Sequence, residues 1–147
     1  MKSLLTAVAL VFALTQASFA EQAFTENGMH TQDWFAQDSF LELQDDLEVA
    51  QDEGKRLVVF FEQKGCIYCK RMHEEVLSHP GIAKMVKDNF RVVQLDLWGP
   101  RIVTDFDGEE LEEKDLARKW RANYTPGIFF FPTEIAEDNE ESGKDLW

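Results

Sequence analysis

The sequence predicts an α/β fold, a sheet whose strands are joined by crossing helices. Three observations carry that expectation. Two continuous apolar runs, Leu57-Val58-Val59-Phe60-Phe61 and Ile128-Phe129-Phe130-Phe131, are short and rich in β-branched and aromatic residues, as strands buried on both faces are. Between them Arg91 to Leu97 alternates, with Val93, Leu95 and Leu97 on one side. Segments with helical spacing separate these strands, and strand–helix–strand order implies parallel pairing wherever a helix crosses over.

Taken in order, the chain opens with Lys2, an apolar run from Leu4 to Leu14 broken only by Thr6, and Ser18-Phe19-Ala20. That is the layout of a cleavable secretory signal over residues 1–20. A membrane span needs roughly 20 apolar residues, about twice this run. No other apolar run is long enough, so stable membrane insertion is not expected. Residues 21–37 form a polar arm with scattered aromatics (Phe24, Trp34, Phe35) and no clear period. A single domain is expected over 38–147.

Ser39 and Glu42 read as a capping box. Phe40, Leu43, Leu47 and Ala50 then recur at helical spacing until Gly54, which predicts a helix over roughly 39–53. After the first strand come Glu62-Gln63-Lys64-Gly65 and Cys66-Ile67-Tyr68-Cys69, opening a helix whose apolar face holds Met72, Val76 and Leu77. Pro80 starts another helix with Ile82, Met85 and Val86 as its buried side. Trp98-Gly99-Pro100 ends the second strand, and residues 99–110 form a loop turning at Asp107-Gly108. Leu111 to Trp120 reads as a helix through Leu116, Ala117 and Trp120. Tyr124-Thr125-Pro126-Gly127 leads into the last buried strand, which Pro132 closes. Residues 133–147 hold six acids and one lysine, and read as a solvated hairpin tip whose return strand begins at Lys144–Trp147.

The formal charge of −13 becomes one unit more negative once the signal is removed with Lys2. Such a surface argues against nucleic acid and anionic membranes as partners. The chain has two cysteines, Cys66 and Cys69. As a structural staple the pair would be weak, because so short a loop yields only about 2 kcal/mol against nearly 5 for a long one. A domain of this size buries a sufficient core without it. Chemistry explains the pair better.

Cysteines at i and i+3, opening a helix after a buried strand, are spaced to form a disulfide. Free amide N–H groups and the positive end of the helix dipole lie beside the first sulfur, favouring the thiolate that attacks. Cys66, which precedes the first full turn, is therefore the expected exposed nucleophile. Cys69, one turn in, is the expected resolving thiol that breaks a mixed disulfide on Cys66. Lys64, Lys70 and Arg71 add local positive charge. A metal site is the competing reading, since Cys66, Cys69 and His73 have ligand-like spacing. Zinc would still want a fourth ligand, and His30 and His79 are isolated, so no metal is expected. Lys70 in place of a histidine gives no support for covalent haem, and no cofactor is expected. His73 reads as a helix-surface residue, Trp98 and Trp120 as packing residues, and Tyr68 as a substrate contact.

The strand–Cys-x-x-Cys–helix unit, followed by Thr125-Pro126 before a strand, resembles the thioredoxin superfamily. That resemblance implies a central mixed β-sheet flanked by helices. It also implies a cis Pro126 facing the cysteines, with the Thr125 backbone pairing with a bound substrate strand. Over roughly residues 30–132 a closer resemblance rests on short runs: Phe61-Glu62-Gln63, Gly65-Cys66-Ile67-Tyr68-Cys69-Lys70, Val93-Gln94-Leu95, Trp98-Gly99 and Val103 to Gly108. These look like the periplasmic thioredoxin of bacterial sulfur-oxidation (Sox) clusters. The implied role is a periplasmic reductase of disulfide-bearing partner proteins, fed by a membrane thiol-electron donor.

Two departures from the resemblance matter. Phe60 stands where cytosolic thioredoxins carry a buried carboxylate, and Glu62 replaces a common Trp. Glu62 is therefore the candidate for proton transfer at Cys69, with a plain surface acid as the equal alternative. The family's C-terminal strand and helix are expected to be incomplete here, through truncation. Two other functions share the scaffold: a disulfide oxidase or isomerase, and a non-catalytic binding module. Reduction potential separates the first, and tolerance to loss of both cysteines the second.

Overall fold

The computed structural model describes residues 23–135 and 140–147. The central sheet has strand order β4-β3-β7, from Phe90–Asp96, Arg56–Glu62 and Gly127–Phe130. β3 runs parallel to β4 and antiparallel to β7. The sheet is thus mixed and flanked by helices, the architecture of a thioredoxin-like fold; the last crossing, through a helix into β7, is the antiparallel one. Before it, β1 (Ala23–Phe24) and β2 (His30–Thr31) pair as a small hairpin. The predicted secretory signal lies outside the described residues. Among the described residues no helix is long and apolar enough to cross a membrane.

Strand alternation sorts β3 between two cores. Leu57, Val59 and Phe61 face one layer with Leu43 and Leu47 of α1 (Leu43–Asp52), Val93, Leu95 and Leu97, and Leu116 and Trp120 around α4 (Glu113–Lys119). Val58 and Phe60 face the other layer with Phe35, Leu77 and Val92. Trp120, Phe61 and Phe129 meet edge-on or tilted at centroid distances of 5.6–5.8 Å. Each such side chain contributes roughly 1.5–3 kcal/mol through burial.

Several local expectations are corrected. The capping box does not form, and α1 starts at Leu43 after a Glu42 that makes no side-chain cap bond. Leu41 adopts φ 63°, which breaks the helix and leaves Phe40 in solvent. Ser39 instead accepts from the Leu41 amide and donates to Asp46, the buried partner of Arg91. Residues 102–104 and 110–112 pair as β5 and β6 about the Asp107-Gly108 turn, which shortens the following helix to α4. Between β3 and β4, α2 (Ile67–Arg71) continues as a π turn over Met72–Val76, and α3 covers Pro80–Asn89. Met85 is half exposed and α3 has no fully buried side chain, so it lies shallowly on the sheet. Trp98, expected to pack, is mostly exposed, whereas Trp120 is fully buried.

The C-terminal segment is not a return strand. Gly143–Leu146 forms a helical turn, α5, held by buried Asp105. Asp105 accepts from Ser142 Oγ at 2.6 Å, the Gly143 amide at 2.9 Å and Trp120 Nε1 at 3.2 Å, and pairs with Lys119 Nζ at 2.8 Å. A Cβ at Gly143 would run into the Trp120 ring. Trp147 stacks edge-on against Phe129 at 4.7 Å.

Candidate active site

Register brings the site together. β3 ends at Glu62, and four residues later Cys66 caps α2. β7 opens with Gly127 opposite Phe61, so the residues just before it arrive at the same end of the sheet. Thr125 and Pro126, joined by a cis peptide bond, therefore face the cysteine pair.

Cys66 and Cys69 are disulfide-bonded, with Cα atoms 5.2 Å apart. Cys66 Sγ accepts the Cys69 amide at 3.0 Å, as an N-cap acceptor does. Thr125 Oγ1 donates to the same sulfur at 3.2 Å, and the Thr125 carbonyl oxygen lies 3.7 Å from it. Cys66 is not exposed as expected but 8% accessible, since Thr125 lies against its sulfur, and Cys69 is 1% accessible. Two donors aimed at one sulfur can stabilise it as a thiolate after reduction, and the deeper sulfur is shielded by its helix. At this end of the sheet Ile67, Tyr68, Trp98 and Tyr124 stand exposed. The Trp98 indole donates to Gln63 Oε1, which fixes that ring beside the cysteine loop.

Glu62 turns inward and is wholly buried. Alternation puts it on the same face as Phe60, one strand period closer to the cysteines. Its carboxylate meets His73 Nε2 at 2.9 and 3.1 Å and also accepts from Gln94. His73 Nδ1 accepts from Gln32 Nε2 at 3.1 Å, which assigns the ring proton to Nε2 and aims it at Glu62. Gln94 donates as well to the His30 carbonyl at 2.7 Å. The His30 ring lies beside His73 at 6.2 Å; burial first, then His73, lowers its pKa.

His73 is therefore a buried partner and not the expected surface histidine. It stands four residues beyond the buried Cys69 and shares its helix face. The π turn that follows, closed by Leu77 N–H on the Met72 carbonyl at 2.8 Å, shifts the buried face by one residue, so Leu77 points inward while Val76 is exposed. Gln32, Gln94 and His30 escaped the sequence reading because they reach the site from distant segments. Histidine four residues after Cys69, and so on its helix face, was the available signal. Among the described residues no group of three or more His, Cys, Asp or Glu side chains is placed to hold a metal ion.

Comparison with known proteins gives two findings. The sequence model of a family described as thioredoxin-like domain matches residues 43–134. Among solved structures, a thioredoxin from Thermus thermophilus, determined in solution, is 28% identical, with a TM-score of 0.47. That alignment covers 61% of this chain and 61% of the other, so the chain spans less than two thirds of that thioredoxin's length. A search of curated proteins returned no match.

Proposed function

Since the chain belongs to the thioredoxin-like domain family, we propose that it is an exported disulfide reductase acting in the periplasm through Cys66 and Cys69. The observation that carries the reading is the convergence of the Cys69 amide and the Thr125 hydroxyl on Cys66 Sγ. Reduced Cys66 attacks a partner's disulfide, and Cys69 resolves the mixed disulfide. Thr125 and Pro126 dock the partner's backbone as an added strand, and Tyr68 supplies contact area beside the cysteines. Export is supported by the signal-like residues 1–20. The resemblance to Sox-cluster thioredoxins supports the reducing direction, a membrane thiol donor and a place in sulfur oxidation.

The test is reduction of a protein disulfide by the chain, with dithiothreitol as electron source. Cys66→Ala should abolish turnover, and Cys69→Ser should accumulate mixed disulfides on Cys66 whose partners identify the substrate. Full activity in Cys66→Ala would refute the assignment. A reduction potential near that of strong oxidants, about −120 mV, would reverse the direction.

A further inference from the structure

Trp98 is 65% exposed, yet hydrogen bonds fix both its backbone and its ring. Its amide donates to Asp96 Oδ1 at 3.0 Å, and the Gly99 amide donates to the Asp96 carbonyl at 3.0 Å, which closes a tight turn after β4. A Cβ at Gly99 would run into the Glu113 carboxylate, so glycine lets this turn lie close on its neighbours. The Asp96 carboxylate is held in turn by Asn27 Nδ2 at 2.7 Å, from the loop between β1 and β2. The indole N–H donates to Gln63 Oε1 at 2.5 Å. That N–H is the one polar group of the side chain, so the exposed ring has only apolar surface left to offer.

Gln63 ties this ring to the loop of the reactive sulfur, because its carbonyl accepts the Cys66 amide at 3.3 Å. Strand order completes the arrangement. Trp98 follows β4, Cys66 follows β3, and Tyr124 and Thr125 precede β7, with Asp96 opposite Glu62 and Phe61 opposite Gly127. Neighbouring strands lie about 4.8 Å apart, so Trp98 flanks the cysteine loop on one side and Thr125 on the other. A polypeptide whose disulfide reaches the Cys66 sulfur has to come onto this end of the sheet, which brings the residues beside its own cysteine within reach of the Trp98 ring. A ring immobilised before binding loses little freedom when a partner covers it, and aromatic anchors of that kind dominate interface energies.

We propose that Trp98, held by Gln63, selects partners that carry a large apolar side chain beside their disulfide. The inference rests on the redox reading of the cysteine pair and adds to it a preference among substrates. Trp98 is a docking residue and takes no part in the exchange of sulfur bonds. Gln63 is a positioning residue that acts through the ring. Removing the ring should therefore change which disulfides react best.

The experiment mixes the reduced full chain with two synthetic peptides, each a dimer joined by one disulfide. They are identical except that Phe or Ser flanks the cysteine on both sides. Quenched-flow alkylation and mass spectrometry give the rate of peptide-thiol release, each divided by the rate of the same peptide with dithiothreitol. The wild type should react about 10-fold faster with the Phe peptide, a ratio that corresponds to about 1.4 kcal/mol of docking energy. Trp98→Ala should bring the two rates together. Trp98→Phe should keep most of the preference, and Gln63→Ala, which frees the ring, should lie between. Equal rates in the wild type overturn the proposal. So does a wild-type ratio retained in Trp98→Ala, even where both rates fall together, because the ring would then act only on the shape of the cysteine loop. Should Trp98→Ala not fold, Gln63→Ala decides, and an unchanged ratio there overturns the proposal equally. Failure of the wild type to open either peptide's disulfide would instead sink the redox reading itself.

Discussion

At Cys66 one sulfur receives two donors of different origin, a helix amide that any N-cap would offer and a hydroxyl from across the sheet. The amide is guaranteed by the local sequence, whereas the Thr125 hydroxyl depends on β7 pairing with β3 in register. Thr125→Val keeps the shape and removes only that donor. A hydrogen bond to a charged group is worth about 1.5–3 kcal/mol, so the Cys66 thiol pKa should rise by about one unit or more in the reduced variant. Thiolate absorbance at 240 nm across pH measures this, and an unmoved titration would show that the hydroxyl is a bystander. The cysteines and Thr125-Pro126 were legible because their chemistry lies in short local motifs. Glu62 was half legible: its place at the end of the first strand was plain, but its inward turn depends on His73, which was read as an ordinary helix-surface histidine although it stands four residues beyond Cys69.

Among the elements, α5 shows how a polar anchor substitutes for apolar periodicity. Residues 133–147 carry too few apolar side chains to reveal a packed segment, so the sequence suggested a solvated tip. Its docking is decided by Asp105, far away in the chain, which collects the Ser142 hydroxyl and the Gly143 amide. Contact between Gly143 and the Trp120 ring lets this backbone come close enough to be held. Gly143→Ala inserts a methyl group into that contact, and overpacking of this kind costs about 1–3 kcal/mol. Scanning calorimetry should show a melting temperature lowered by several degrees. An unchanged value would mean that α5 detaches without consequence for the sheet beneath it. By contrast, β3, β4 and β7 were legible to within a residue or two, since strands buried on both faces have no polar side to obscure them. β5 and β6 were missed because a three-residue pair around Asp107-Gly108 is too short to show a period.

Over the whole molecule, acid acts in two opposing ways. With 28 acidic against 15 basic residues, the folded chain repels itself at neutral pH, and protonating surface carboxylates relieves that repulsion. Asp105 works the other way. Burial pushes its carboxyl up, but the bonds from Lys119, Ser142, the Gly143 amide and Trp120 outweigh burial and hold it below the usual carboxylate range. A depressed folded value contributes stability that is present above the unfolded value of about 3.9 and is lost as pH falls through the folded one. The two effects separate in a comparison with Asp105→Asn, because repulsion across the remaining surface is nearly common to both chains. Denaturant midpoints should place the variant about 1–3 kcal/mol below wild type at pH 7. The gap should narrow once pH drops below about 4, and nearly close when Asp105 is protonated. A gap that stays constant from neutral pH to pH 2 would mean that the carboxyl contributes by shape alone, and the charge on Lys119 would then have no part in fastening α5 to the sheet.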